Sequence, residues 1–250
     1  MSKAVYEFPL NEKVRNYLRI EQLLQQIRVS AESQSATANI HFFEDLFTLI
    51  DLLERLDVRT DILRDFDLQE RNLVHWSQHP NINNEALQQT LQAILRMRDI
   101  LKKNKRIGAE LKENAFINAI KQRFAIPGGS CSFDLPNLHY WANLPTEKQI
   151  EDKLQWLSYL QIIENAISLT LSFLRQRGSF QPVTANKGFF PGLADDKGEL
   201  IRIKLSVDNG CYPTLSGNKY RYALRFMTFG QQSTPSKAID YDLDFEIASC

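Results

Sequence analysis

LIRIKLSV, the segment Leu200–Val207, places an apolar side chain at every second position and sets Arg202 and Lys204 between them. Because successive side chains of a β-strand point to opposite faces of a sheet, this period of two predicts a strand with one buried face. The segments Lys219–Met227 and Ile239–Ile247 alternate in the same way. Three such strands in succession predict an antiparallel sheet that buries one face against the rest of the protein.

Before residue 179 the pattern is helical, because apolar side chains recur every three or four positions. We predict that Asn11 and Thr60 cap two of these helices, since short polar side chains accept hydrogen bonds from the first free N–H groups of a helix. The longest helix is predicted over Thr146–Arg177, with a capping box to Gln149 at its start and Gly178 at its end. Its apolar stripe is typical of a bundle core helix or of half a dimer interface.

These patterns predict an α+β fold in two parts. Residues 1–178 are expected to form a mainly α-helical domain, and residues 179–250 a smaller antiparallel β-domain. Tyr6–Pro9 could add an edge strand of the sheet from the N-terminus. Ser130–Leu135, which follows a Pro-Gly-Gly break in the helical pattern, could form a short strand.

The composition excludes several classes of protein. The 250 residues include 30 basic and 30 acidic side chains, so no overall charge attracts nucleic acid or an anionic membrane. Cys131, Cys211 and Cys250 form no CxxC pair, which is typical of reduced thiols rather than of a disulfide framework. The N-terminus has no apolar signal-peptide core, and the longest apolar-rich stretch is interrupted by polar residues. We therefore expect a soluble, cytoplasmic protein.

The basic strand is the strongest candidate for a binding site. Arg221 and Arg225 are four residues apart, so a strand places them on one face about 13 Å apart. Arg202 and Lys204 could join that face from a neighbouring strand. Such a patch would receive an acidic peptide, because guanidinium groups bind carboxylates in a bidentate manner. Alternatively, the four acidic side chains of Ile239–Ile247 could pair with the arginines across the sheet.

Two local clusters are weaker candidates for chemistry. Cys131, Asp134 and His139 could suggest a cysteine nucleophile, but catalytic dyads are normally assembled from distant segments. His75 and His79 have the four-residue spacing of two zinc ligands, but no glutamate follows His75 and no third ligand is evident. We therefore expect no catalytic residues, no bound metal and no cofactor.

A single-stranded nucleic-acid-binding module is the alternative function, because the strand Lys219–Met227 interleaves aromatic and basic residues. In such modules the aromatic and basic side chains share the exposed face. Strand alternation here places Tyr222 and Phe226 opposite Arg221 and Arg225, which argues against that use.

Several blocks of the sequence are too irregular in their Gly, Pro, aromatic and charged positions to arise from a generic amphipathic pattern. They are PLNEKVRNYLRIE (Pro9–Glu21), HFF (His41–Phe43), ERLDVRTDIL (Glu54–Leu63), IPGGSCSFDLPNLHYW (Ile126–Trp141), SGNKYRYALRFM (Ser216–Met227) and DFE (Asp244–Glu246). In these blocks, which extend over nearly its full length, the chain resembles the ZapD family of bacterial cell division proteins.

The resemblance implies a non-enzymatic homodimer that binds the C-terminal tail of FtsZ and cross-links FtsZ filaments at the midcell division site. It implies no nucleic acid and no membrane as partners, and the dimer interface is expected to include part of Thr146–Arg177. In ZapD-like proteins the C-terminal basic region is implicated in holding the FtsZ tail, and the shared blocks add further basic positions. The expected tail-binding residues are Arg221, Arg225, Lys219, Arg202, Lys204, Arg19, Arg55, Arg59 and His139, of which Lys204 is expected from strand alternation only.

Overall fold

The structure, a computed structural model, is α+β, as the sequence predicts: helices form the first two-thirds of the chain, and antiparallel strands dominate the C-terminal third. The chain forms two compact units, one made of Met1–Leu18 with Leu171–Cys250 and the other of Arg19–Thr170. We call them the β unit and the helical unit. The structure describes residues 2–77, 84–104, 106–193, 198–218, 220–230 and 235–250.

The described residues contain nine α-helices and seven β-strands. The helices are α1 (Glu12–Glu32), α2 (Ala36–Arg55), α3 (Val58–Trp76), α4 (Asn84–Lys103), α5 (Ala109–Glu113), α6 (Ala115–Phe124), α7 (Pro136–Ala142), α8 (Thr146–Ser158) and α9 (Gln161–Gln176). The strands are β1 (Lys3–Pro9), β2 (Gln181–Ala185), β3 (Phe189–Leu193), β4 (Leu200–Ser206), β5 (Cys211–Gly217), β6 (Arg221–Thr228) and β7 (Leu243–Ser249).

The β unit consists of two antiparallel sheets with the strand orders β1-β4-β7-β2 and β3-β6-β5. Their apolar faces share one core, in which the rings of Phe226 and Phe245 lie 4.8 Å apart. The three strands that the sequence predicts therefore do not form one sheet, because β6 belongs to a different sheet from β4 and β7. Alternation shows which side of a strand is buried, and strands on both sides of a core have the same pattern.

The helical unit is built around an aromatic cluster from distant parts of the chain. Phe43 contacts both Trp141 and Trp156, with ring centroids 5.4 and 5.7 Å away. Trp141 also donates a hydrogen bond from Nε1 to Asp152 at 3.0 Å, so its one polar group is satisfied. The block Ile126–Trp141 thus anchors α7 in this core through its last residue.

The predicted short strand at Ser130–Leu135 is wrong, because this segment forms a succession of turns. The N–H of Asp134 donates to the carbonyl of Cys131, and the N–H of Cys131 donates to the carbonyl of Gly128. The neighbouring Gly129 packs so closely that a Cβ would lie 2.2 Å from the Arg123 carbonyl oxygen. Gly129 is therefore needed for backbone packing after α6, whereas Gly128 is needed for its left-handed backbone conformation at φ 74°.

The predicted long helix is two helices, because α8 and α9 meet at a bend of 61°. At the end of α8, Tyr159 and Leu160 donate to the carbonyls three residues earlier, which tightens the last turn. Leu157, Leu160 and Ile163 are all buried across the bend, so one apolar stripe serves both helices. No single helix in the described ranges is long and apolar enough to span a membrane, although α8 and α9 counted together would be.

Of the three predicted N-terminal caps, one is confirmed and two differ from the structure. Asn11 caps α1 by accepting a hydrogen bond from the N–H of Val14 at 2.8 Å. Asp57, not Thr60, caps α3, and its side chain accepts from the Thr60 N–H. No capping box opens α8, because its N-cap is Pro145 and the side-chain oxygen of Gln149 accepts a hydrogen bond from Asn39 instead.

Candidate functional site

Arg221 and Arg225 lie on the outer face of β6, and both are exposed. Between them, Tyr222 and Leu224 are buried in the core of the β unit, and Phe226 follows with the same orientation. The alternation predicted for this strand is therefore confirmed. Because two of its aromatic side chains point away from the arginines, they offer no stacking surface to a nucleic-acid base on the arginine side.

The arginines have no acidic partner in the described part of the chain. Strand β7, which carries the acidic side chains, pairs with β4 and β2 and not with β6. Its Glu246 pairs with Lys204 at 3.2 Å, and its Asp244 accepts a hydrogen bond from Thr184. Cross-strand pairing with an acid of β7 therefore occurs for Lys204. Arg221 and Arg225, in contrast, have no described carboxylate within ion-pair distance.

The arginines have apolar neighbours that sequence analysis missed. Across the β3–β6 pairing, Phe189 lies opposite Arg225 and Leu193 lies opposite Arg221. The Arg225 guanidinium is 5.7 Å from the Phe189 ring centroid, a cation–π contact. Leu193 is 79% exposed, so nothing in the described chain covers it. The sequence signal for these neighbours is the alternation of side chains in FFPGL, residues 189–193. That segment is short and contains both Pro and Gly. We call the side chains of Phe189, Leu193, Arg221, Ala223 and Arg225 the arginine face.

The prediction that Arg202 and Lys204 join this face is wrong, because β4 lies in the other sheet. Arg202 donates from Nε to Glu7 at 2.9 Å, and Arg175 binds the same carboxylate at 2.7 Å. The positively charged groups of Arg202 and Lys204 also lie 5.2 and 4.2 Å from the ring centroid of Phe180. These two side chains are therefore held by internal partners.

The charges around Glu7 are strongly coupled. Burial alone would raise the pKa of Glu7, but hydrogen bonds and charge from Arg175 and Arg202 outweigh it and hold the pKa below its ordinary value of 4.5. The neighbouring Glu246 also has a lowered pKa, chiefly because Lys3 and Lys204 donate hydrogen bonds to its carboxylate. Both acids are charged at neutral pH and hold the basic side chains of this sheet in place.

Four of the predicted site residues belong to the helical unit. Arg19 is exposed on α1, Arg55 is exposed in the last turn of α2, and His139 is exposed on α7. Arg59 is half-buried and donates to the carbonyls of Leu101 and Lys102 at 2.7 and 3.3 Å. It therefore binds the C-terminus of α4, where a cation is favoured by the helix dipole. Lys219 lies outside the described residues.

The two weaker clusters gain no support as reactive or metal-binding sites. Cys131 is exposed in the turns that precede α7, and no contact joins it to His139 through their side chains in the described structure. His79 lies outside the described residues. Among the residues that are described, no three His, Cys, Asp or Glu side chains come together as metal ligands.

The family model described as "Cell division protein", ZapD, matches residues 18–225, which include both exposed arginines of β6. The chain belongs to the ZapD family. It is 37% identical over 245 residues to cell division protein ZapD of Vibrio atlanticus (strain LGP32), with 98% of each chain covered. It is 36% identical over 249 residues to cell division protein ZapD of Escherichia coli O9:H4 (strain HS), which covers all of this chain and 99% of that protein. With the protein of that name from Shewanella baltica (strain OS185) it shares 35% identity over 250 residues, the full length of both. Membership of this family supports a role in cell division.

Proposed function

We propose that this chain is a non-enzymatic, cofactor-free cell division factor that binds the C-terminal tail of FtsZ. As a cytoplasmic homodimer at midcell it would hold two tails at once, bundle FtsZ filaments and so promote assembly and stability of the Z-ring. Family membership supports the cell division role. The observation that carries tail binding is the pair of exposed arginines, Arg221 and Arg225, which lack an acidic partner in the described chain.

Unpaired exposed arginines favour binding because no internal ion pair has to break before they bind a ligand. Each planar guanidinium can hold a carboxylate through two parallel hydrogen bonds, which gives both affinity and orientation. Arg202 and Lys204 differ in this respect, since each already contacts a glutamate. We therefore assign Arg221 and Arg225 the main role in tail binding and give the remaining predicted residues a supporting one.

Bundling follows from valency. A two-fold dimer presents two tail sites, and a filament presents many tails, so a weak contact at each site is multiplied by effective concentration. We keep the segment of α8 and α9 as the proposed part of the dimer interface. A monomer with one site would bind tails without joining filaments.

The charge-reversed double variant Arg221→Glu with Arg225→Glu tests this proposal. We expect it to fold, because neither side chain belongs to an ion pair among the described residues. We expect it to lose bundling, because its surface would repel an acidic tail. The measurement is the amount of GTP-assembled FtsZ that pellets at low speed with each variant.

The matched control is Arg64→Glu with Arg96→Glu, which makes the same change of charge at exposed positions of the helical unit. It should bundle FtsZ like the wild type. A double variant at positions 221 and 225 that is folded, dimeric and still bundles filaments would show that the tail binds elsewhere.

A further inference from the structure

We propose that the arginine face selects a peptide with two carboxylates about 13 Å apart and an apolar side chain between them. This inference rests on the proposed function only for the identity of the protein that carries the peptide. The face itself is defined by the strand register, by exposure and by unpaired charge. These features indicate the chemistry of the ligand but not the protein from which it comes.

The face has two similar ends, each made of one arginine and one large apolar side chain. Leu193 lies opposite Arg221 at one end, and Phe189 lies opposite Arg225 at the other. Both apolar side chains are exposed, Phe189 at 40% and Leu193 at 79%. An acidic ligand that used charge alone would not need them. A carboxylate at each arginine would bring the adjoining part of a peptide against an apolar surface.

The middle of the face is low because its side chains are small. Ala223 lies between the two arginines on β6, and its cross-strand neighbours are Pro191 on β3 and Ser216 on β5. The longer side chains of the two ends therefore rise above a shallow floor. One apolar side chain of the ligand can be placed on that floor, where it would contact Ala223 and Pro191 and be flanked by Phe189 and Leu193.

The peptide is expected to lie on this face rather than to extend the sheet at β3. Strand β3 is at the edge of its sheet, and Pro191 is its central residue. The Phe226 N–H donates to the Gly188 carbonyl, so in this register the nitrogen of Pro191 points to the open edge. Because proline has no N–H, that edge lacks a donor at its centre and is a poor template for another strand.

An extended peptide that runs along β6 has the same rise per residue as the strand. Acidic residues four positions apart would therefore match the spacing of Arg221 and Arg225, with the apolar residue midway between them. The preferred core is Asp-Ala-Leu-Ala-Asp. Moving one Asp next to the other, or replacing Leu by Ser, removes one element of the match and keeps the net charge.

The test is fluorescence anisotropy of labelled peptides with the full-length protein. The peptides carry the cores Asp-Ala-Leu-Ala-Asp, Asp-Asp-Leu-Ala-Ala and Asp-Ala-Ser-Ala-Asp, and a fourth is the FtsZ C-terminal peptide. We expect the first core to bind about threefold to tenfold more tightly than the second and third, since one well-placed apolar side chain or charge contact has about this effect. Equal binding of the three cores would overturn the inference.

Protein variants separate the apolar contacts from charge. Leu193→Ser and Phe189→Ser should each weaken binding of the first core by about threefold to tenfold, with little change in its salt dependence. Arg221→Gln should weaken binding and also reduce the salt dependence. The control is Val207→Ser, which removes an apolar side chain that is 56% exposed elsewhere in the β unit. Unchanged affinity of both folded Ser variants would overturn the inference.

The two proposals can fail separately. If Asp-Ala-Leu-Ala-Asp binds the wild type and the FtsZ peptide does not, the ligand chemistry is supported and the proposed partner is wrong. If the FtsZ peptide binds equally to the wild type and to both Ser variants, tail binding stands and the apolar part of the site is wrong. If neither peptide binds, both proposals are wrong.

Discussion

At the scale of single residues, the charged side chains of the β unit that we compare fall into two groups, those with an internal ion-pair partner and those without one. Glu7 lies between Arg175 and Arg202, and Glu246 between Lys3 and Lys204. These groups hold the β1-β4-β7-β2 sheet and its neighbouring helix end together. Arg221 and Arg225 of the other sheet form no ion pair with any described residue, which is why we assign binding to them.

The pairing of Glu7 predicts a specific loss of stability in acid. Its folded-state pKa is lowered from 4.5, so the folded protein holds the charged form more strongly than the unfolded chain does. This stabilisation is complete above pH 4.5 and is lost as pH falls through the lower folded-state pKa. Glu7→Gln should lower the free energy of unfolding by about 2 kcal/mol at pH 7, the scale of hydrogen bonds to a charged group.

Urea unfolding of the wild type and of Glu7→Gln between pH 7 and pH 3 measures this effect. The difference between the two proteins should shrink as pH falls below 4.5. Glu12→Gln, which changes an exposed carboxylate of α1, is the control and should change stability little. A difference for Glu7→Gln that stays constant over the whole range would contradict the assigned role.

Which residues point outward could be predicted from sequence, but which residues meet could not. The period of two in β6 places Arg221 and Arg225 on one exposed face whatever the strand order is. The partner of Arg202 comes from β1, about 195 positions earlier, where Glu7 is its register neighbour. Nothing local in either segment indicates that pairing.

At the scale of secondary-structure elements, one buried lysine links three helices of the helical unit. Lys153 on α8 is 1% exposed, and its ammonium group donates to the carbonyls of Ser30 and Ser33 and to Oδ1 of Asn39. It thereby satisfies carbonyls at the end of α1 and a side chain at the start of α2. Burial lowers the pKa of Lys153, and no carboxylate is among these three acceptors.

Lys153→Ala should lower the free energy of unfolding by about 3 kcal/mol, because it leaves buried acceptors unpaired and creates a cavity. Lys148→Ala is the matched control on the same helix, since that side chain is 49% exposed and pairs only with nearby acids. Its effect should be within about 0.5 kcal/mol. Thermal or urea unfolding measures both, and equal effects of the two variants would contradict the linking role of Lys153.

The sequence predicts that the segment of α8 and α9 is helical, but it does not predict that the helix is broken into two. The apolar stripe from residue 154 to residue 174 has a helical period throughout, and α8 and α9 bury it from Leu157 onward, while Leu154 is exposed. At the bend, Tyr159 and Leu160 donate to the carbonyls of Trp156 and Leu157, three residues earlier, in place of the i→i−4 bonds of an α-helix. No proline or glycine lies at the bend, so the sequence contains no local signal of it.

At the scale of the whole molecule, the α+β class was predictable because the hydrophobic period changes from about 3.6 to 2 near residue 179. The division of the seven described strands between two sheets could not be predicted, since both sheets bury alternating side chains in one core. The consequence for function is that one sheet is fixed by internal ion pairs and the other presents the arginine face. A dimer of such chains would have two of these faces.

The most direct test of FtsZ cross-linking is light scattering of GTP-assembled FtsZ with and without this protein, repeated with FtsZ that lacks its C-terminal peptide. We predict that this protein raises the scattering of intact FtsZ and leaves that of truncated FtsZ unchanged, because the tail is the proposed ligand. The truncated FtsZ must form filaments alone, which its own scattering controls. An equal rise with both forms, or no rise with intact FtsZ from a folded dimeric protein, would contradict the account.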